Sequence, residues 1–428
     1  MTDLCRRLAD LEDPIRVGII GAGAMGRGLH RQMLVTPGIR CAALADIDLQ
    51  RAVACAEASG EPYEVVETPE EIARTVRRGT LAVCTDGASI AEAPTIDVLL
   101  EASSSIGAAG RFSESALRHS KHLVLMNAEI DLIFGPYLAA LADDLDIVYT
   151  SCDGDQHGVI KRLWDEAALW GIEPFLAGNI KGYLDREANP TSIIPEADKR
   201  NLDYRMATAY TDGTKLSIEM ALVANSLGLS TDIPGMHGPR AGHVREAFAL
   251  FDLEAFRCSG GVVDYILGAE PGGGVFVIGH CEDPFQRRML EYYKMGRGPH
   301  YVFYRPYHLC HIEAMRCIAE ALLDGVSLLR PHAGFRTNVY AYAKRDLRAG
   351  EELDGIGGFA CYGQIENEGS GGTAPGLPIC LGESVTLVRA VSKGDRILLS
   401  DVEVPRTNHA WKMYEQAVTH GRSAEAPG

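Results

Sequence analysis

Residues 15–26 read Ile15-Arg16-Val17-Gly18-Ile19-Ile20-Gly21-Ala22-Gly23-Ala24-Met25-Gly26. Ile15 to Ile20 is a short apolar run between Pro14 and Gly21, as a strand buried on both faces of a parallel sheet should be. Gly21 to Gly26 is then G-x-G-x-x-G, directly after that strand and at the head of a helix-like segment, Ala24 to Val35, closed by Pro37 and Gly38. Glycines serve there for a tight turn, for backbone close to a pyrophosphate, and for helix–strand packing. The helix N-terminus adds free N–H groups and a partial positive charge. Asp46 follows a second strand-like run, Ile39 to Ala45, about 20 residues further on, where a carboxylate hydrogen-bonds a ribose 2′-hydroxyl. The cofactor-binding candidates are Gly21, Gly23, Ala24, Met25, Gly26 and Asp46, with Arg51, Ser103 and Asn127 beside them. A glycine turn without a ligand is the bland alternative.

Outward from this loop the pattern repeats. Asp48 to Ser59 reads as a helix stopped by Gly60, and Thr68-Pro69-Glu70-Glu71 is a capping box with Pro at the first helical position. Strand-like runs recur at Leu81–Thr85, Ile96–Leu100, His122–Met126 and Ile147–Thr150. Alternating β and α units predict a doubly wound parallel sheet, a Rossmann domain over residues 1–152. Residues 153–332 mix long helical stretches (Val159–Trp170, Thr214–Leu227, His308–Leu323) with strand-like Val275–Gly279 and His300–Tyr304, an α+β catalytic and dimerisation domain. After Pro331 short β pieces alternate with glycine turns, which predicts a small all-β module over 333–421 and a flexible tail over 422–428.

Composition narrows the function. With 46% hydrophobic and 23% charged residues the chain can build cores, and a net charge of −17 disfavours nucleic acid and anionic membrane as partners. No run approaches the roughly 18–20 apolar residues of a membrane span, and the N-terminus lacks a signal-peptide core. Eleven cysteines without a C-x-x-C pair read as reduced thiols of a cytoplasmic protein. His308, Cys310 and His311 have the wrong spacing for structural zinc and read as residues near a helix start.

Four further segments can carry chemistry. Asn127, Glu129 and Asp131 close the run 122–126, at the edge that faces the ligand crevice of an open α/β sheet; they also read as loop-solvating groups. Ser151 to Gly158 packs Asp153, Asp155, Gln156 and His157 into a glycine-bounded turn. Glu129, Asp153 and Asp155 offer oxygen ligands suited to Mg²⁺ or Mn²⁺, and Asp155 reads equally as a helix cap. In Thr211-Asp212-Gly213-Thr214-Lys215 a lysine occupies the first turn of a helix, against the macrodipole, which hints at anion binding or proton donation; a surface ion pair with Glu219 is the alternative. Lys181 and Lys199 are further candidates for gripping an acidic substrate, each also readable as solvated surface. The catalytic candidates are thus Lys215, Asp212, Glu129, Lys181, Lys199 and Asp155.

GAGAMG (21–26), VLMNAEID (124–131), GNIKGYLD (178–185), TDGTKLSIEMALVAN (211–225) and AKRDLRAGEELDGIGGF (343–359) together resemble the homoserine dehydrogenase-like oxidoreductases with a C-terminal SAF (sialic acid synthase/antifreeze-like) domain. Among these the chain looks most like the 1-deoxy-D-xylulose 5-phosphate reductoisomerase-like proteins. Homoserine dehydrogenases place a lysine after the asparagine that ends the fifth strand; here Ala128 and Glu129 follow Asn127, which argues against homoserine as substrate. The resemblance implies a homodimer or homotetramer, NADPH or NADH in the N-terminal domain, a polar or phosphorylated carbonyl substrate, and a β-clip module at the C-terminus. Reductive isomerisation of a ketose phosphate is the leading expectation. A plain dehydrogenase and a non-catalytic cofactor-binding sensor are the rivals.

Overall fold

The computed structural model describes residues 3–200, 202–369, 374–405 and 407–423. It divides into two compact units, residues 1–158 with 309–330 and 413–420, and residues 159–308 with 331–412 and 421–428.

The first unit is built on seven parallel strands: β1 (Ile15–Ile20), β2 (Ile39–Ala45), β3 (Tyr63–Val65), β4 (Leu81–Cys84), β5 (Val98–Glu101), β6 (His122–Leu125) and β7 (Tyr149–Ser151). Their order is β3-β4-β2-β1-β5-β6-β7, so the chain reverses direction across the sheet between β2 and β5, with β1 at the switch. This is the expected doubly wound α/β sheet. Strand β1 is buried on both faces, as its unbroken apolar run requires. Asp48 caps the helix Leu49–Ser59 through the N–H groups of Gln50 and Arg51, and Gly60 ends it at φ 78°. The Thr68 capping box is complete, with the Thr68 hydroxyl accepting from Glu71 N–H and the Glu71 carboxylate accepting from Thr68 N–H.

Two pieces from late in the chain complete this unit, and neither is placed there by the sequence pattern. The helix Cys310–Asp324 lies on the helix Ala24–Met33. Gly28 makes room for it, since a Cβ there would stand 2.6 Å from the His311 ring. His311 is thus a packed histidine near a helix start. The all-β module expected over 333–421 ends in a helix, His409–Ser423. Its Met413 lies against Gly110, and its His420 ring sits 6.0 Å from that of Tyr137. The amphipathic run from Ala410 to Ala417 is legible as a helix but is masked by the Gly-rich texture before it. Of the tail expected over 422–428, residues from 424 onward lie outside the described residues.

The second unit holds a four-stranded mixed sheet of β8 (Glu173–Lys181), β9 (Val262–Leu267), β10 (Val275–His280) and β11 (His300–Arg305) in the order β11-β10-β8-β9. Only β8 and β9 pair in parallel. Leu176, Ile180, Val262 and Ile266 pack with Phe251 and Phe256 into one core, so Asn179 and Lys181 point to the opposite face of the sheet. The C-terminal strands β12 (Thr337–Ala343), β13 (Glu352–Asp354), β14 (Cys361–Asn367) and β15 (Glu383–Thr386) form two antiparallel pairs, β12–β14 and β13–β15. The helix Thr214–Leu227 packs on β12 and β14 as well as on β8 and β9. Every residue from Thr214 to Ser226 is consequently buried, not only the expected apolar stripe. Among the described residues no helix is long and apolar enough to cross a membrane.

Candidate active site

The three glycines of the loop after β1 divide their work. Gly21 stands at φ 100°, and a Cβ on it would meet Ala102 and Ser103 backbone atoms at 2.7–2.8 Å. A Cβ on Gly26 would fall 1.8 Å from the Gly21 carbonyl oxygen. Around Gly23 the chain leaves open space: nothing lies within 4 Å of a Cβ built there. Gly23 is also the N-cap of the helix Ala24–Met33, and no side chain caps that helix. A glycine at the N-cap offers no side-chain oxygen to the first-turn N–H groups of this helix, the groups a pyrophosphate site uses.

Asp46, 8% exposed at the end of β2, accepts from Ala22 N–H at 2.8 Å and from Asp48 N–H at 3.0 Å. It thereby pins the glycine loop. A carboxylate has about four lone-pair sites, so a ribose hydroxyl can still be held. Ile47 beside it is 94% exposed, an apolar face in open solvent, and Arg51 is exposed in the first turn of the next helix.

Across the switch point, Glu101 ends β5 opposite Ile20 of β1. It is fully buried, and desolvation pushes its carboxyl up to about 8 although Ser103 and Asn127 oppose the shift. Its Oε1 accepts from Ser103 N–H at 3.1 Å, while Oε2 has no hydrogen-bond partner among the described residues. Asn127 donates from Nδ2 to the Ser103 and Ser105 carbonyls (2.9 and 3.0 Å) and caps the helix Ala128–Asp144 through Ile130 N–H. Ser103 and Asn127, both expected to touch the cofactor, are thus tied to one another and to Glu101 just beyond the ends of β5 and β6. Glu129 is half-buried in the first turn of that helix. Asp131 is structural instead: it accepts from the Tyr149 hydroxyl and the Ser151 hydroxyl, tying the helix to β7.

Among the described residues, Glu129 and Asp153 belong to no set of three His, Cys, Asp or Glu ligand atoms lying within 4.8 Å of one another. Asp155 immediately precedes the helix Gln156–Leu169 and accepts from Gln156 N–H at 2.8 Å. Asp153 is buried, and its Oδ1 accepts from Gly154 N–H at 2.9 Å.

In the second unit the structure gathers a buried charged cluster. Asp212 is fully buried; its Oδ1 accepts from Thr214 N–H at 2.9 Å, and its Oδ2 lies 2.9 Å from Lys344 Nζ. Burial pushes its carboxyl above the usual range, with Lys344 pulling against it. Lys215 and Glu219, one helical turn apart, are 7% and 3% exposed, so the surface ion-pair reading fails. Lys181, at the end of β8, has its ammonium desolvated and its pKa pulled below the usual lysine range, against the opposing fields of Glu219 and Asp212. Asn179, two residues earlier on the same face, is buried with Nδ2 lacking a partner among the described residues. Lys199 does not join them. It lies in the short helix Ile194–Arg200, whose Ala197 packs inward, while Lys199 faces solvent and its Nζ donates to Glu196 at 2.6 Å.

Three residues escaped the sequence reading: Glu101, Lys344 and Asn179. Glu101 carried a signal, an acid closing the wholly apolar run Val98-Leu99-Leu100. Lys344 carried none, since Lys344-Arg345 reads as ordinary surface charge.

Residues 154–314 match the family model described as "Oxidoreductase DRL, catalytic domain". That range contains Asp155, Lys181, Lys199, Asp212, Lys215 and Glu219 but neither the glycine loop nor Lys344. No curated protein matches the chain. Among solved structures, a homoserine dehydrogenase from Thiobacillus denitrificans is 16% identical over 79% of this chain and 84% of its own, at a TM-score of 0.43. A probable dehydrogenase from Thermotoga maritima is 12% identical over 97% and 90%, at 0.34. Biliverdin reductase from Synechocystis sp. PCC 6803, solved with biliverdin and NADP⁺, is 18% identical over 41% of this chain, at 0.30. The chain spans only 49% of that reductase's length.

Proposed function

We propose that the chain is an NAD(P)H-dependent oxidoreductase acting on a polar or phosphorylated carbonyl compound. The observation that carries this reading is the open space over Gly23, flanked by two glycines that admit no side chain, at the carboxyl edge where the sheet order reverses. The match of residues 154–314 to an oxidoreductase catalytic domain supports it independently. A bound dihydronicotinamide would supply hydride to a carbonyl carbon. The chain's own part is to hold the carbonyl oxygen and deliver a proton to it. Lys215, buried one turn before Glu219, and Lys181, half-buried in the fields of Glu219 and Asp212, are the candidates for these roles, and the pKa of Lys181, lowered by desolvation, suits it to proton transfer. A sensor has no use for such costly burial of charge.

Within this class we favour reductive isomerisation of a ketose phosphate, in which the buried ammonium groups would hold vicinal oxygens during the rearrangement. Plain dehydrogenation of a sugar-like or amino-acid-like alcohol is the second reading, since hydride transfer alone needs neither a metal nor a rearrangement of the carbon skeleton. Asp46 suits NADH, whereas exposed Arg51 would neutralise the 2′-phosphate of NADPH. Assembly as a homodimer or homotetramer belongs to the proposal on the resemblance alone. Fluorescence titration with NADH and NADPH tests the cofactor, and absence of binding to both defeats the reading. Incubation with 1-deoxy-D-xylulose 5-phosphate and NADPH, with and without EDTA, then separates the two chemistries. Oxidation of NADPH with a branched product supports isomerisation; activity only on an unrearranged alcohol leaves the dehydrogenase.

A further inference from the structure

The turn Thr211–Lys215 is gripped by residues that lie more than a hundred positions further along the chain. Thr214 Oγ1 accepts from Gly363 N–H at 2.8 Å, and at the other end of the same helix Asn225 Oδ1 accepts from Thr337 N–H at 2.8 Å. Beyond the first of these clamps Lys344, directly after β12, reaches the Asp212 carboxylate. Its Nζ also donates to the Ala188 carbonyl at 2.6 Å and the Gly358 carbonyl at 2.8 Å. An ammonium has three N–H bonds and no acceptor capacity. Two of these are donated to the backbone carbonyls, and Asp212 Oδ2 stands beside the same ammonium in ion contact at 2.9 Å, so Lys344 is held in place from three sides.

We propose that Lys344 is a positioning residue of the catalytic cluster: its fixed ammonium keeps Asp212 a carboxylate and so sets the charge that Lys181 faces. This deepens the function proposed above and rests on it for its catalytic meaning. The groups facing Asp212 are Lys344 after β12, Lys181 on β8, Cys361 on β14 and the Thr214 N–H of the helix. Lys344 is the group in direct ion contact with it. Alone at full burial, an aspartate would take up a proton rather than stay charged. With Lys344 in place, Asp212 can remain anionic beside Lys181, and the C-terminal strands become part of the site rather than an appendage.

Infrared difference spectroscopy on the full chain at pH 7 tests this without substrate or cofactor. The double variant Lys344→Met/Asp212→Asn, which removes both charges together, is the reference. The native chain should show one additional carboxylate band over the reference. Lys344→Met should instead show the C=O band of a carboxylic acid, and Lys344→Arg, which keeps the charge, should restore the carboxylate. A carboxylic acid at position 212 in the native chain, or a carboxylate that survives in Lys344→Met, overturns the proposal. If Lys344→Met does not fold, the native chain and Lys344→Arg decide: both must show the carboxylate. A separate NADPH fluorescence titration of Lys344→Arg reports on the cofactor reading, so the two failures are distinguishable.

Discussion

The glycine loop and the lysine–aspartate cluster solve opposite problems. The loop after β1 works by absence: no side chain enters the space over Gly23, and Gly21 and Gly26 stay bare so that the turn can close. The cluster around Asp212 works by crowding, with Lys344 in ion contact, Lys181 half-buried in the fields of Asp212 and Glu219, and Lys215 and Glu219 buried on the adjoining helix. Recognition of a large, common ligand can rely on backbone N–H groups, which any sequence with the right glycines provides. Chemistry on a particular bond needs ionisable groups with altered proton affinity, and these must be buried and mutually compensated. The first is local in sequence and the second is not.

The comparison breaks most visibly within the loop itself. Gly26→Ala forces a Cβ onto the Gly21 carbonyl and should cost about 1–3 kcal/mol in denaturant unfolding as well as cofactor binding. Gly23→Ala meets nothing in the chain. It should leave the melting temperature unchanged while weakening NAD(P)H binding about tenfold or more; unaltered affinity would mean that the open space is not the phosphate site. In the cluster, Lys215→Ala should lower kcat/KM by roughly 10²-fold with cofactor affinity intact, a usual loss for a positioned acid–base group. Near-normal turnover would reduce Lys215 to a packing residue.

A subtler difference concerns protons. The Glu101 carboxyl sits at about 8 in the fold and near 4.5 in the unfolded chain. Between those values the folded state keeps a proton that the unfolded chain has released, so stability falls as pH rises, by up to about 1.4 kcal/mol per pH unit. Glu101→Gln should flatten that slope, seen as a smaller drop in melting temperature from pH 5 to pH 8. An unchanged slope would mean that Glu101 is ionised in the fold. Smallest of all, Lys199→Ala should alter turnover by less than about twofold, because an exposed ion pair contributes little.

The same contrast explains what is legible in the sequence. The strand at 15–20, the capped helices at 49–59 and 69–77, and the glycine loop each depend on residues a few positions apart, so the local pattern suffices. The short strand Tyr63–Val65 escapes because three residues of mixed polarity carry no period, and with it Leu125 closes the sixth strand rather than the fifth. Lys181, Asp212 and Lys215 stand out one at a time from chemistry and context. Their burial is not legible, since it depends on β12 and β14 closing over the helix Thr214–Leu227. Lys199 and Lys344 make the point together. Both are lysines followed by arginine, yet one lies on an exposed helix and the other inside the cluster.

The piecewise origin of the first unit has a consequence for biosynthesis. Its seven strands are all translated by residue 151, but the helix Cys310–Asp324 and residues 413–420 emerge much later. At about 5–20 residues per second the nascent sheet waits on the order of ten seconds for the first of them and longer for the second. During that interval the surfaces that Gly28 and Gly110 keep open for His311 and Met413 are uncovered on the ribosome. Nascent chains halted before residue 310 should therefore engage hydrophobic-binding chaperones, and release them once residue 420 has cleared the exit tunnel.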